Sequence, residues 1–251
     1  MNSTHNSAST HSPIEHNFQE EPALVSRELD AVNLSFATNP QPRCPVALLL
    51  DCSSSMSGAP IQELQAGVSQ FYEEIASDPI SRLSVEVCVI PFGQDVKVIR
   101  HFEPALDSMK HPRPWLTAGG YTPLGLAMTF GLQEISARRR FYRDQGLAAY
   151  KPWLVLLTDG QPNDDWQEPA AKARGMAAKD QLHFMGVGIG SGVDMNTLTA
   201  ILPADNPPHQ LAGLQFKEFF RWLTDSLKIV TSGSTTQQRA LPTPADYDWK
   251  L

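Results

Sequence analysis

The chain has 251 residues, 41% of them hydrophobic, and a formal net charge of -7. This length fits one α/β domain of about 180 to 200 residues with extensions at both ends. The acidic balance argues against non-specific nucleic-acid binding, because a phosphate-binding surface needs an excess of Lys and Arg. The basic run 138–140 with Arg143 lies where a helix is predicted to end, so the helix dipole and solvent explain it better.

The polar N-terminus and the cysteine usage predict where the protein is located. No stretch approaches the roughly 18 apolar residues of a membrane span, and the first residues lack the apolar stretch of a signal peptide. The three cysteines, Cys44, Cys52 and Cys88, are too few and too irregularly spaced for a disulfide framework. These features predict a cytoplasmic protein that binds no membrane.

The first 40 residues are predicted to form an N-terminal extension that is largely disordered. Up to about residue 22 this segment is rich in Ser, Thr, Asn and His and has no hydrophobic periodicity. Residues 24–36 mix acidic and apolar side chains, so they fit either a short strand or a short helix. The sequence Asn-Pro-Gln-Pro at 39–42 marks the entry to the folded domain, which we place at residues 41–230.

Within the domain, apolar runs of strand length alternate with helical patterns, which predicts a mostly parallel sheet with helices on both faces. The predicted strands are 45–51, 82–91, 152–158, 182–188 and 208–212. The predicted helices are 60–76, 123–143, 166–180, 194–202 and 215–229. Residues 96–101 follow the second strand too closely for a crossover helix, so we expect them to form an antiparallel edge strand through a hairpin.

Residues 231–251 are predicted to form a flexible C-terminal tail. The tail begins with a run of Ser, Thr, Gly and Gln that cannot build a core. Its last part contains Asp246, Tyr247, Asp248 and Trp249, which fit either a short acidic-aromatic docking motif or a segment that folds back on the domain.

The most informative stretch begins where the apolar run 46–50 ends in Asp51, which is followed by Ser53 and Ser55. In a turn leaving a buried strand, these three side chains can face one side and offer one anionic and two neutral oxygens. Such hard oxygens are the ligands of Mg²⁺, Mn²⁺ and Ca²⁺. Taken alone, however, an Asp followed by Ser residues is more often an Asx turn and helix cap.

Two further oxygen ligands are available elsewhere in the chain. Asp159 ends a second apolar strand-like run, and Thr122 precedes a predicted helix. In open α/β sheets, binding crevices form at the carboxyl ends of strands where the strand order reverses. We therefore predict that Asp51, Ser53, Ser55, Thr122 and Asp159 meet at that edge as a metal site.

The pattern Asp51-x-Ser53-x-Ser55, Thr122 and Asp159 resembles the metal-ion-dependent adhesion site (MIDAS) of von Willebrand factor type A domains. The surrounding sequence, such as Pro-Phe-Gly at 91–93 and Tyr-Thr-Pro-Leu-Gly at 121–125, is similar to that of a bacterial intracellular branch of this family. That branch is typified by the tellurium-resistance-associated TerY proteins. The resemblance covers roughly residues 45–230 and implies a Rossmann-like, doubly wound, six-stranded sheet with one antiparallel edge strand.

The resemblance also implies what the site does. Ser53, Ser55 and Thr122 would contact the cation, and Asp51 and Asp159 would act directly or through water. A partner protein's Asp or Glu would take the open coordination position. Mg²⁺ is the expected cation, with Mn²⁺ or Ca²⁺ as alternatives. TerY-like proteins are associated with a protein kinase and a PP2C-type phosphatase, which implies such partners in a stress-response or phospho-signalling complex.

An enzyme is the alternative class, in the form of a Mg²⁺-dependent hydrolase or phosphatase with an aspartyl nucleophile. Such an enzyme would be expected to carry a second carboxylate two residues after Asp51, where this chain has Ser53. The sequence also lacks a phosphate-binding P-loop and a Gly-x-Ser-x-Gly nucleophile elbow. His183 and His209 are better explained as structural residues, so we expect no catalytic activity.

Several residues near the predicted site have two interpretations. Trp166 and Tyr121 could each contact a partner or pack inward. Asp164 or Asp165 could form part of the partner surface or cap the predicted helix 166–180.

Overall fold

The structure is a computed structural model, and it describes residues 39–108, 116–211, 213–236 and 240–247. The chain divides into a unit Met1–Pro40 and a unit Gln41–Leu251. Apart from its last two residues, the predicted N-terminal extension, including the element predicted at 24–36, lies outside the described residues. The domain limits at residues 40 and 230 stay predictions.

The elements of the second unit follow the predicted alternation of strands and helices. The strands are β1 (Cys44–Asp51), β2 (Val85–Phe92), β3 (Arg100–Pro104), β4 (Trp153–Thr158), β5 (His183–Ile189) and β6 (His209–Leu211). The helices are α1 (Ala59–Ser77), α2 (Ser81–Ser84), α3 (Ala105–Ser108), α4 (Leu124–Asp144), α5 (Gln167–Ala178), α6 (Met195–Ile201) and α7 (Phe216–Thr231). Short 3-10 turns occupy Ser54–Met56 and Pro244–Asp246.

The six strands form one sheet in the order β3-β2-β1-β4-β5-β6. Every pairing is parallel except β2 with β3, which is antiparallel. This topology confirms the predicted Rossmann-like fold, with one antiparallel strand at an edge. None of the helices in the described part of the chain is long and apolar enough to span a membrane.

The central strand β1 is buried on both faces, as its continuous apolar sequence predicts. Val46, Leu48 and Leu50 point into a core cluster that includes buried side chains of α1 and α7. Ala47 and Leu49 point into a second cluster with α4, α5 and α6. Helices therefore cover both sides of the sheet and leave the carboxyl ends of the strands as the open edge.

The position predicted for the antiparallel strand was wrong by about four residues, although its direction and edge location are confirmed. We expected 96–101, whereas β3 spans Arg100–Pro104. A tight turn, in which Gly93 N donates to Asp95 O at 3.0 Å, leaves Val96 with only an isolated bridge to Phe92. Regular pairing starts at Arg100, opposite Val89, and the register then shifts between Val89 and Val87.

Residues 240–247 of the predicted tail fold back onto α7. Trp222 Nε1 donates to Pro242 O at 2.8 Å, and Tyr247 OH donates to Asp225 Oδ2 at 2.8 Å. Leu241 and Tyr247 are partly buried against the core cluster that includes α1 and α7. Trp249 lies outside the described residues.

Candidate metal centre

The five predicted ligands come from three segments that meet at the carboxyl edge of the sheet. Asp51 is the last residue of β1, Asp159 directly follows β4, and Thr122 lies two residues before α4. Strands β1 and β4 are parallel neighbours, with Leu50 opposite Leu157. The connections run outward in opposite directions from this pair, so the site lies where the strand order reverses, as predicted.

Asp51 is fully buried and is held by two hydrogen bonds. Its Oδ1 accepts from Ser53 N at 2.8 Å, and its Oδ2 accepts from Thr158 Oγ1. Burial raises the pKa of Asp51 to about 6, and the Asp159 charge adds to this, while the hydrogen bonds from Ser53 and Thr158 oppose it. A nearby cation would favour the charged carboxylate, so the environment of Asp51 fits a site that receives positive charge.

The side chains of Ser53, Ser55 and Asp159 form a compact group of oxygens. The two serine Oγ atoms are 3.0 Å apart, and Ser55 Oγ donates to Asp159 Oδ1 at 2.8 Å. Ser53 Oγ lies 3.4 Å from the same Asp159 oxygen. The turn after β1 therefore presents its alternate residues to the segment after β4, as the Asp-x-Ser-x-Ser spacing predicts.

Thr122 lies in the third segment, next to the backbone that follows Asp159. Thr122 is buried, and a Cβ atom on Gly160 would lie only 3.1 Å from its Oγ1. Its backbone oxygen accepts from Asn163 N at 3.1 Å, which fastens the Thr122 loop to the segment after β4. Glycine at position 160 therefore lets the Thr122 hydroxyl approach the backbone next to Asp159.

Hydrogen bonds fasten the turn after β1 to the end of β2 and to the segment before Thr122. Cys52 N donates to Phe92 O at 2.7 Å, and Gly119 N donates to Cys52 O at 2.7 Å. Ser54 Oγ donates to Gly120 O at 3.0 Å. A Cβ on Gly93 would lie 2.5 Å from Cys52 O, so only glycine permits this close approach.

Asp164 has a role that sequence reasoning missed. It caps α4, because Gly125 N and Leu126 N donate to its two carboxylate oxygens at 2.9 and 2.8 Å. A cap from a residue close in sequence would belong to α5. The residue before α5, Trp166, makes no side-chain cap bond, and Asp165 accepts a hydrogen bond from Gln167 N at 3.3 Å. The close approach of the backbone at Gly125 to Asp165 O leaves no room for a Cβ. No signal in the sequence separates this long-range cap from a local one.

The two aromatic residues near the site differ in exposure. Trp166 is partly buried against the core cluster that includes α4, so the inward interpretation is correct for it. Tyr121 is 76% exposed and stands next to Thr122. Of these two described residues, Tyr121 is therefore the one available as an aromatic contact at the edge of the site.

The donor set fits a hard divalent cation. The described residues contain no group of three or more His, Cys, Asp or Glu that could hold a metal. At the candidate site two carboxylates are accompanied by hydroxyls. Neighbouring oxygens around an octahedral Mg²⁺ lie about 3 Å apart, given Mg–O distances of about 2.0 to 2.1 Å. The 2.8 to 3.4 Å separations among Ser53, Ser55 and Asp159 match this spacing. Burial raises the pKa of the Cys52 thiol to about 12, which disfavours a thiolate ligand.

The two histidines considered as bases have structural surroundings. His183 begins β5 opposite Trp153, at the end of the sheet away from Asp51, and their rings are 4.7 Å apart. Burial, together with the nearby Lys151 charge, lowers the pKa of His183 to about 4. His209 begins the short edge strand β6, and burial also lowers its pKa. Neither histidine is among the residues that form the oxygen group.

Comparison with solved structures shows the same fold in distant proteins. Proximal thread matrix protein 1 from the mussel byssus is 20% identical, with a TM-score of 0.55 over 76% of this chain and 49% of that chain. A structure of that protein with a zinc-occupied MIDAS motif is 19% identical, with a TM-score of 0.52 over 75% and 48%. This chain therefore spans about half the length of the mussel protein.

A bacterial protein of known structure has the same fold, and a family sequence model matches the chain. The conserved hypothetical protein BatB from Bacteroides thetaiotaomicron is 14% identical, with a TM-score of 0.52 over 76% of this chain and 100% of that chain. A search of curated proteins gave no match. The sequence model of the von Willebrand factor type A domain matches residues 46–220, which is more than half of the chain. The chain therefore belongs to the von Willebrand factor type A domain family.

Proposed function

We propose that this protein is a metal-dependent protein-binding module. Ser53, Ser55 and Thr122 hold a divalent cation, and Asp51 and Asp159 hold it directly or through water. A partner protein then supplies an Asp or Glu to the open position. The observation that carries this proposal is the group of oxygens from Ser53, Ser55 and Asp159, whose separations are those of neighbouring ligands around one cation.

The charge and number of these ligands favour reversible capture of a carboxylate. Two carboxylates balance the charge of a divalent cation, while five oxygens leave an octahedral shell one position short. When bound, the cation supplies a Lewis-acidic position that accepts an anionic oxygen. The chain's own residues orient that position toward solvent, because Ser55 and Asp159 lie at the surface while Asp51 is buried below them.

A distant relative of known structure supports the proposal that the site binds a divalent cation. The mussel protein has been solved with zinc in its MIDAS motif, and it shares this fold. The hard oxygen ligands here favour Mg²⁺, with Mn²⁺ and Ca²⁺ as alternatives. The resemblance to TerY proteins supports a narrower proposal: a cytoplasmic complex in bacterial stress response or phospho-signalling, with a protein kinase and a PP2C-type phosphatase as partners.

A pull-down from native lysate tests the proposal. Partner proteins are expected to bind the tagged protein in Mg²⁺ and to be released by EDTA. Thr122→Ala and Asp159→Ala are expected to abolish capture, while Thr199→Ala and Asp205→Ala, matched changes at exposed positions outside the oxygen group, retain it. Thermal unfolding of all four variants checks that each is folded. Undiminished capture in EDTA would contradict the proposal.

We propose that the site is not catalytic, and that the Mg²⁺-dependent hydrolase remains the less favoured alternative. Both carboxylate oxygens of Asp51 accept hydrogen bonds, so the side chain is poorly placed to act as a nucleophile. Incubation of the pure protein with Mg²⁺ and a panel of phosphoesters tests this point. Turnover that disappears in Asp51→Asn would establish the hydrolase instead.

A further inference from the structure

The hydroxyl of Thr158 links Asp51 to the turn that carries Asp159. Thr158 is the last residue of β4, is fully buried, and directly precedes Asp159. Its Oγ1 is hydrogen-bonded to Asp51 Oδ2, at the end of β1, and lies 3.3 Å from the backbone N of Gly160. One side chain therefore contacts segments that carry both carboxylates of the candidate metal centre.

The sheet explains why Thr158 lies beside Asp51. Strands β1 and β4 are parallel neighbours, and their register pairs Leu49 with Leu156. Asp51 and Thr158 each stand two residues further along, so they project from the same face of the sheet as that pair. Leu49 and Leu156 both point into the core cluster that includes α4, which agrees with this placement. The contact between Asp51 and Thr158 therefore follows from the register of the two strands.

The hydrogen bonds of Thr158 have fixed directions. A backbone N–H only donates and an ionised carboxylate only accepts, whereas a hydroxyl has one proton and two lone pairs. Thr158 Oγ1 therefore accepts from Gly160 N and donates its proton to Asp51 Oδ2. Because the side chain is fully buried and its proton is in use, Thr158 is placed to orient ligands and not to serve as one.

Thr158 holds the Asp51 carboxylate at a second point. Ser53 N donates to Asp51 Oδ1 at 2.8 Å, but this bond comes from the turn that directly follows Asp51. The bond from Thr158 comes from the neighbouring strand and reaches the other oxygen, Oδ2. The terminal torsion of an Asp side chain is otherwise broad. The two bonds together fix the rotation of the carboxylate and its position relative to β4.

The same hydroxyl closes the turn that contains Asp159. The bond from Gly160 N to Thr158 Oγ1 spans Asp159, as in the local turns that Ser and Thr hydroxyls form with the backbone. In this turn Asp159 Oδ1 accepts from Ser55 Oγ at 2.8 Å. Two carboxylates that converge on one site repel each other until a cation binds. A fixed contact between their segments opposes that repulsion in the cation-free protein.

We propose that Thr158 is a positioning residue of the candidate metal centre, and this inference rests on the function proposed above. Its hydroxyl holds Asp51 and the Asp159 turn in the arrangement that a cation needs, before the cation binds. Removing a group that orients metal ligands typically lowers metal affinity by about 10- to 100-fold. The methyl group of Thr158 has no part in this role, so a serine can replace the threonine.

Calorimetric titration of Mg²⁺ into the chelator-treated full chain tests this role. Thr158→Val keeps the shape of the side chain without the hydroxyl, and it is expected to weaken cation affinity about tenfold or more while one cation still binds per chain. Thr158→Ser keeps the hydroxyl and should retain the affinity within about threefold. Thr224→Val is the matched control and should leave the affinity unchanged. Thr224 is a fully buried residue of α7 whose Oγ1 has no hydrogen-bond partner among the described residues.

Thr158→Ala is a second hydroxyl-free variant and is expected to behave like Thr158→Val, with thermal unfolding in EDTA as the check that each is folded. Wild-type affinity in a folded hydroxyl-free variant would overturn the positioning role alone. Equal losses in Thr158→Ser and Thr158→Val would also overturn it, as would failure of both hydroxyl-free variants to fold, which would assign the hydroxyl to stability. Absence of cation binding by the wild type would overturn the proposed function, and the positioning role with it.

Discussion

The buried charge of Asp51 destabilises the cation-free folded state but favours the binding of a cation. The carboxylate is fully buried and faces Asp159, and burial raises its pKa to about 6. In the absence of a cation, an ionised Asp51 therefore destabilises the folded state relative to the unfolded chain, where the pKa is about 3.8. The same buried charge is what a divalent cation would neutralise.

Asp51→Asn is therefore expected to stabilise the cation-free protein while removing cation binding. The pKa of Asp51 is higher in the folded state than in the unfolded chain. Ionisation of Asp51 therefore lowers the free energy of unfolding of the wild type as the pH rises from about 4 to about 7. Over that pH range, the free energy of unfolding of the variant should rise by about 2 to 3 kcal/mol relative to that of the wild type. Urea unfolding at several pH values in EDTA measures this difference.

The Asn side chain can keep both contacts, since its oxygen accepts from Ser53 N and its amide donates to Thr158 Oγ1. Mg²⁺ should then raise the melting temperature of the wild type but not that of Asp51→Asn. A variant less stable than the wild type at neutral pH in EDTA would contradict this account of Asp51.

At the scale of elements, the start of α4 depends on a residue from another segment. Asp164 accepts hydrogen bonds from Gly125 N and Leu126 N, which would otherwise be unsatisfied donors of the first turn. Its negative charge also lies at the positive end of the helix dipole. Because Thr122 lies two residues before this turn, the cap also helps to fix the Thr122 loop against the segment after β4.

Asp164→Ala is expected to lower the free energy of unfolding by about 1 to 2 kcal/mol through loss of this cap. The neighbouring Asp165→Ala is the matched control, because Asp165 accepts a local backbone hydrogen bond from Gln167 N at 3.3 Å and makes no described contact with α4 through its side chain. Denaturant unfolding compares the two variants. Equal destabilisation by both would show that the contact to α4 contributes nothing measurable.

The elements also show what a sequence can predict and what it cannot. Strands β1, β4 and β5 lie within one residue of their predicted limits, because continuous apolar runs bounded by polar residues mark buried strands clearly. The position of β3 was missed because the turn at Gly93 and the shifted register of β2 set it. Hairpin register depends on turn geometry, which the apolar pattern does not encode.

At the scale of the whole molecule, the two ends of the sheet carry different chemistry. The carboxyl end gathers the oxygen group, whereas the start of β2 carries a buried ionic network around Glu86. The network pairs Glu86 with Arg43 at 3.6 Å and with Arg138 at 2.6 Å, and Tyr142 OH donates to the same carboxylate. Arg138 belongs to the basic run that we expected to interact with the helix dipole and solvent. That expectation was wrong for Arg138, because its partner is distant in sequence.

Glu86→Ala is expected to destabilise the domain by about 3 to 5 kcal/mol, because it leaves Arg43 buried without its carboxylate. Glu103→Ala is the control, since Glu103 is a partly exposed residue on β3 whose pair with Arg100 spans 3.9 Å. Denaturant unfolding distinguishes them. A loss under about 1 kcal/mol for Glu86→Ala would contradict the assigned importance of the network.

The candidate site could be predicted because its residues follow from topology. Asp51 and Asp159 end strands that are neighbours at the reversal of strand order, and alternation in the turn places Ser53 and Ser55 beside Asp159. Thr158 and Asp164 could not be predicted, because their roles depend on side-chain contacts between distant segments. Pairwise contacts of this kind leave no periodic trace in a single sequence.

The central claim is that Asp51, Ser53, Ser55, Thr122 and Asp159 hold one divalent cation. Calorimetric titration of Mg²⁺ or Mn²⁺ into the chelator-treated full chain tests this claim most directly. One cation per chain is expected, with affinity reduced about tenfold or more in Thr122→Ala and Asp159→Ala and unchanged in Asp165→Ala. Equal cation affinity in the wild type and in both ligand variants would contradict it.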